Sequence, residues 1–144
     1  MNIAYFIKPK SAIAFVFSTN TVRQVIEKMK HYGYSAVPVL NSGGEYVGTV
    51  TEGDLLWATY GKDSEEYSKI KIGSIIKPDR AEPVSIFAQM PELMSKIVEQ
   101  NFVPVVDARG SFMGIVTRKD IMKYYNDLFN QLSEDSLVSA SQEI

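Results

Sequence analysis

The chain carries a near-copy of part of itself. The stretch VPVLNSGGEYVGTVTEGDLL, Val37 to Leu56, lies without a gap over VPVVDARGSFMGIVTRKDIM, Val103 to Met122, so Pro38 and Pro104 stand 66 positions apart, as do Gly48 and Gly114. Upstream, FIKP (Phe6 to Pro9) matches IIKP (Ile75 to Pro78) at a separation of 69. A duplicated unit constrains the fold more than any single motif, because whatever one copy forms the other must form too.

Apolar periodicity then reads each copy. In TVRQVIEKMKHY, Val22, Val25, Ile26 and Met29 share one helical face, and Thr21 with Gln24 makes a capping box, predicting a helix over about 21–32. Its counterpart is MPELMSKIVEQ, with Met90, Leu93, Met94, Ile97 and Val98 apolar and Pro91 tolerated in the first turn. After each helix a β-branched run, AVPVL or FVPVV, a Gly-containing turn and a second run, EYVGTVT or SFMGIVT, predict a hairpin. The closing Thr opens another helix, EGDLLWATY in the first copy and RKDIMKYYNDLFNQL in the second, whose Ile121, Tyr124, Tyr125, Leu128, Phe129 and Leu132 form a stripe. With the short strands AFVF and EPVSI in front, the expectation is an α/β (α+β) chain of two β-α-β-β-α repeats. Repeat 1 covers 1–60, a polar linker 61–72 turns helical toward Ile72, repeat 2 covers 73–132, and a Ser-rich tail 133–144 is expected to fray.

Composition removes several function classes. With no Cys and one His, disulfides, thiol nucleophiles, zinc knuckles and iron–sulfur clusters are out, and no clustered Asp/Glu spacing suggests a metal site. A net charge of −2 supplies no basic field for nucleic acid. The longest apolar run, AIAFVF, is far below the roughly 18 residues of a membrane span, and no basic stretch precedes it, so a cytoplasmic protein without a membrane partner is expected. No nucleophile has a base beside it and no Walker-type loop occurs, which argues against an enzyme. His31 ends a helix and reads as surface, and Trp57 reads as a core or dimer-face residue.

The repeated Gly-x-x-Thr-x-x-Asp has two readings. Thr51 with Asp54, and Thr117 with Asp120, are spaced as helix capping boxes, which need no ligand. The same geometry also serves a ligand: the helix start favours an anion, the Thr hydroxyl can join that contact, and the Asp is an acceptor for a vicinal diol such as a ribose. Gly48 and Gly114 leave room for a flat group against the strand backbone. The copies differ between Thr and Asp: Glu52 and Gly53 in the first, Arg118 and Lys119 in the second. Arg118 and Lys119 suit phosphate oxygens and Glu52 repels them, so unequal clefts are expected.

The twin VPV strands, the twin G-x-x-T-x-x-D turns and the element order resemble a tandem pair of CBS domains, named for cystathionine β-synthase and often called a Bateman module, over residues 1–132. The resemblance implies a pseudo-two-fold pair with two clefts, in a stand-alone sensor that binds AMP, ADP or ATP, with cyclic di-AMP or S-adenosylmethionine as the alternatives. Asp54 and Asp120 would hold ribose hydroxyls, and Thr51 and Thr117 ribose or phosphate. Ala36 with Val37, Phe102 with Val103, and Ala14 would line the adenine. It further implies a homodimer through the helices and an unknown effector protein, acted on in trans or as the rest of a longer chain. The rival is a ligand-free dimerisation scaffold in which Thr and Asp only cap helices.

Overall fold

The computed structural model describes residues 1–77 and 79–142, so Pro78 of the second I-K-P and the end of the tail lie outside the described residues. The first repeat runs β2 (Val16–Phe17), α1 (Val22–Tyr32), β3 (Ala36–Leu40), β4 (Tyr46–Thr51) and α2 (Glu52–Thr59). The second runs β5 (Val84–Ser85), α4 (Met90–Glu99), β6 (Phe102–Val106), β7 (Phe112–Thr117) and α5 (Arg118–Gln142). A short strand, β1 (Lys8–Pro9), precedes the first repeat, and α3 (Ser64–Tyr67) lies between the two. Mixed sheets result: β2 runs parallel to β3 and β5 parallel to β6, while each hairpin is antiparallel.

Local chemistry explains these elements. Thr21 and Gln24 form the reciprocal capping box at the start of α1, and Gly33, at φ 72°, closes that helix in the left-handed region. Pro38 and Pro104 occur inside middle strands, normally a poor place for a residue without N–H. They are tolerated because β2 pairs only with Val39 and Leu40, and β5 only with Val105 and Val106, so each Pro sits beyond the end of its parallel neighbour.

The repeats join through equivalent atoms. The Tyr46 amide donates to the Gly110 carbonyl (3.2 Å) and the Phe112 amide to the Gly44 carbonyl (3.0 Å), and each of these pairs maps onto the other by the 66-residue repeat. The rings of Tyr46 and Phe112, themselves equivalent positions, stack with centroids 6.2 Å apart, which marks the pseudo-two-fold axis.

The I-K-P segments cross that axis. β1 pairs antiparallel with β7, and Ile3 and Phe6 belong to the second repeat's core with Leu93, Val103 and Ile121. Conversely Ile75 and Ile76 pack on the first repeat's core of Val22, Val25, Val37 and Val50. Residues assigned to repeat 1 by position therefore complete repeat 2 in space, and the reverse.

Two further expectations are corrected. The tail does not fray at Ser133: α5 is continuous to Gln142, because no Gly or Pro follows Arg118 and the Ser133 hydroxyl donates to the Phe129 carbonyl (3.0 Å) within the helix. Of the two readings of Trp57, core or dimer face, its exposure removes only the core, and Val98, Leu128, Phe129 and Leu132 are exposed as well.

Gly48 and Gly114 admit the chain itself. A β-carbon built on Gly114 would overlap the carbonyl oxygen of Lys8 and press on Ile7 Cγ2 at 2.9 Å, whereas one on Gly48 would overlap only the side chain of Ile76. Gly114→Ala is expected to cost about 1–3 kcal/mol by overpacking against backbone, and Gly48→Ala less, because Ile76 can rotate. Gly53→Ala, whose new carbon would sit an ordinary 3.7 Å from Thr51 Oγ1, should be neutral or gain roughly 0.5–1 kcal/mol. Chemical denaturation of the three variants checks this order.

Candidate functional site

The two Thr-x-x-Asp motifs lie at the ends of β4 and β7, where each strand turns into a helix. At the first, the Thr51 amide donates to Asp54 Oδ2 (2.9 Å) and the Asp54 amide to Thr51 Oγ1 (3.2 Å), a complete capping box. At the second, the Asp120 amide donates to Thr117 Oγ1 (3.1 Å), while the Asp120 carboxylate faces Lys8 Nζ at 3.5 Å. The crossing of the I-K-P segments places a lysine at both: Lys77 Nζ lies 3.9 Å from Asp54 Oδ1.

The Asp120 motif opens on a cavity of about 290 Å³, between strands of both repeats. It is lined by Lys8 and Ala14 from the entry segment, Tyr34, Ala36 and Pro38 from the approach to and start of β3, Phe102 from β6, and Ile115 and Thr117 from β7. Four anticipated residues, Ala14, Ala36, Phe102 and Thr117, thus meet in one cleft, and its Lys8 lies 3.5 Å from the Asp120 carboxylate. Phe102 and the two alanines offer apolar surface to a flat ring, Lys8 a cation, and Asp120 an acceptor. Lys8 and Pro38 were not singled out from sequence, although the repeated I-K-P was the signal for the first.

Four anticipated residues are placed elsewhere. Val37 and Val103 are buried in the two cores, because side chains alternate along a strand and their neighbours Ala36, Pro38 and Phe102 take the cleft face. Arg118 donates from Nε to the Ile97 carbonyl (2.9 Å) and from a terminal nitrogen to the Val98 carbonyl (3.0 Å), capping the C-terminal turn of α4. Its charge is committed to that helix end and does not line the cleft. Lys119 is exposed on the first turn of α5.

The Asp54 motif has a different environment. Arg80 donates from one terminal nitrogen to both Thr51 Oγ1 (3.1 Å) and Asp54 Oδ2 (2.5 Å). Burial pushes the Asp54 carboxyl up, but the Arg80 hydrogen bond, the Thr51 amide and hydroxyl and the Arg80 charge together hold it below the ordinary value. Nearby, the Tyr46 hydroxyl donates to the Ala81 carbonyl (2.7 Å) and shares a hydrogen bond with Thr49 Oγ1 (2.8 Å). Burial raises the Tyr46 hydroxyl to about 12, so it stays protonated and able to donate.

The family model for the CBS domain matches residues 7–61 and again residues 76–127. The chain belongs to the CBS domain family. This CBS pair is similar over 94% of its length, and 91% of the other's, to the crystal structure of CbpB in complex with c-di-AMP, at a TM-score of 0.86 and 26% identity. It shares its fold with CBSX2 in complex with AMP, at a TM-score of 0.73 and 22% identity over 88% of this chain and 97% of that one. An uncharacterized protein of Methanopyrus kandleri is 27% identical over 119 residues, 81% of this chain, which spans only 60% of that relative's length. Among the described residues, no helix is long and apolar enough to cross a membrane and no acidic or His group is arranged to hold a metal ion.

The Arg80–Asp54 pair sets an acid response. A carboxyl held low in the folded state contributes stability that is complete above its unfolded value, about 3.9, and is lost as pH falls through the lower folded value. In Arg80→Ala the effect of burial remains while its main opponent is gone, so the folded value rises. Acid unfolding followed by far-UV circular dichroism should then begin at higher pH than in the parent. At neutral pH the loss should be on the order of 1–2 kcal/mol, below the ~3–5 kcal/mol of breaking a fully buried pair, because Arg80 is 34% exposed and Lys77 stays.

Proposed function

We propose that this CBS pair is a non-catalytic regulatory module that takes an adenine nucleotide in the cleft of Lys8, Phe102 and Thr117 and transmits its occupancy to a separate protein. The observation that carries this reading is the convergence, in one cavity of about 290 Å³, of apolar walls from both repeats with the Thr117 hydroxyl and one cation, Lys8, whose Nζ lies 3.5 Å from the Asp120 carboxylate. That volume is near the lower end of small-molecule sites, about 300 Å³, and suits one nucleoside monophosphate unit. The adenine lies against Ala14, Ala36 and Phe102, Asp120 accepts from the ribose hydroxyls, and Lys8 and the Thr117 hydroxyl meet the phosphate.

Cyclic di-AMP is favoured over AMP, ADP or ATP as the source of that unit. Its support is the likeness to CbpB with c-di-AMP over nearly the whole chain. In addition Tyr34 borders both this cleft and a neighbouring depression of about 350 Å³ lined by Ile26, Lys30 and Leu55, which offers space for a second nucleoside. A second copy of the chain, packed on the exposed apolar stripe of α5 through Tyr125, Phe129 and Leu132, would make the homodimer.

Thermal melts with cyclic di-AMP, AMP, ADP, ATP and S-adenosylmethionine test the reading. Cyclic di-AMP at about 100 times its dissociation constant should add roughly 2.7 kcal/mol of stability, and more than AMP at equal concentration. Asp120→Asn should lower affinity about tenfold by calorimetry while leaving the unliganded melt nearly unchanged, because its backbone amide still reaches Thr117. A panel at millimolar concentration that shifts nothing would return the chain to the scaffold reading.

A further inference from the structure

The two halves differ at the positions that decide whether a motif is available to a ligand. Separated by 69 positions, Ser11 in the first copy corresponds to Arg80 in the second. Separated by 66, Tyr46 corresponds to Phe112. Both differences act on the same place. The long side chain of Arg80 crosses to the first repeat and donates to Thr51 Oγ1 and Asp54 Oδ2, the acceptor atoms that a ribose diol or phosphate hydroxyl would need. The Tyr46 hydroxyl, which Phe112 lacks, ties down the next residue of that segment through the Ala81 carbonyl. Ala81 itself is held at φ 56°, a left-handed conformation unfavourable for a non-glycine residue that persists only where surrounding contacts impose it.

The Asp54 side chain is 3% exposed, against 32% for Asp120. A nucleotide reaching Asp54 would have to displace a charge-assisted hydrogen bond and a Tyr-anchored segment, whereas one reaching Asp120 shares it, among the described residues, with a half-exposed lysine.

We propose that Arg80 is a built-in occupant of the first repeat's Thr51–Asp54 position, anchored by Tyr46, so that each chain binds one nucleotide at the Thr117–Asp120 cleft and a second only when Arg80 is removed or its Tyr46 anchor is lost. This deepens the adenine-nucleotide reading and rests on it for the choice of ligand.

Equilibrium dialysis with radiolabelled AMP, and separately cyclic di-AMP, measures moles bound per chain at saturation for the parent, Arg80→Ala and Tyr46→Phe. The expected result is one in the parent and two in Arg80→Ala, with the original site's affinity unchanged within about twofold. Tyr46→Phe keeps the Arg80–Asp54 pair and hence the fold, and should show a second, at least tenfold weaker site. One mole in all three proteins overturns the proposal and leaves the functional reading standing, as does two moles in the parent. None in the parent and one in Arg80→Ala supports Arg80 as the occupant of the first position but overturns the part of the proposal, and of the functional reading, that places a nucleotide in the Asp120 cleft. None in any protein overturns both. Should Arg80→Ala fail to fold, Tyr46→Phe decides alone, and one site in that variant overturns the proposal.

Discussion

The exchange of the two I-K-P segments across the pseudo-two-fold axis is the interaction on which the rest of the molecule depends. Because β1 pairs with β7 rather than with its own repeat, the second core is closed by Ile3 and Phe6, and neither repeat is complete alone. The exchange also delivers Lys8 to Asp120 and Lys77 to Asp54, so each carboxylate meets a cation from the other half. It explains the repeated glycines as well. Gly114 is bare because the Lys8 carbonyl passes over it, and Gly48 because Ile76 does. The flat group anticipated against these strands is, at both places, the protein's own chain.

The Thr-x-x-Asp motif serves two demands with the same atoms. As a helix cap it satisfies amides that would otherwise lack partners at a strand-to-helix junction. As a site it leaves carboxylate lone pairs for something else, and here the two copies part. Asp54 gives its oxygens to the Thr51 amide and Arg80, while among the described residues Asp120 meets Lys8 in a looser ion pair at 3.5 Å. A pair of near-identical motifs thereby acquires one committed member and one accessible member.

The readings that depended on short-range pattern hold for α1, while Val98 on the anticipated apolar face of α4 is exposed. The α1 face of Val22, Val25 and Met29 is buried, and the Thr21 capping box is formed. Readings that needed direction or distance did less well. Val37 and Val103 were assigned to the ligand through their place beside Pro38 and Pro104, yet the pleat turns them into the cores. Arg118 and Lys119 were assigned to phosphate through their charge, yet Arg118 is drawn to the carbonyls ending α4, which lies 20 and more residues away in the chain. The cleft's cation is instead Lys8, more than 100 residues before Asp120, and nothing local to either motif announces it.

What the sequence determined by itself was the duplication, and with it two copies of one element order, the paired helix starts, and the set of residues any ligand would have to use. Those follow from periodicity and from capping chemistry, which act within a few residues. Which of the two equivalent starts is available was decided only by tertiary structure. Arg80 reaches Asp54 from 26 residues away and the Tyr46 hydroxyl holds Ala81, the residue after Arg80, from 35, while among the described residues no arginine hydrogen bond of this kind reaches Asp120. Charge in the chain records only that a side chain can make an ion pair. The crossing of the segments determines with which partner it does so, because hydrogen bonds act over about 3 Å of space and not along the sequence.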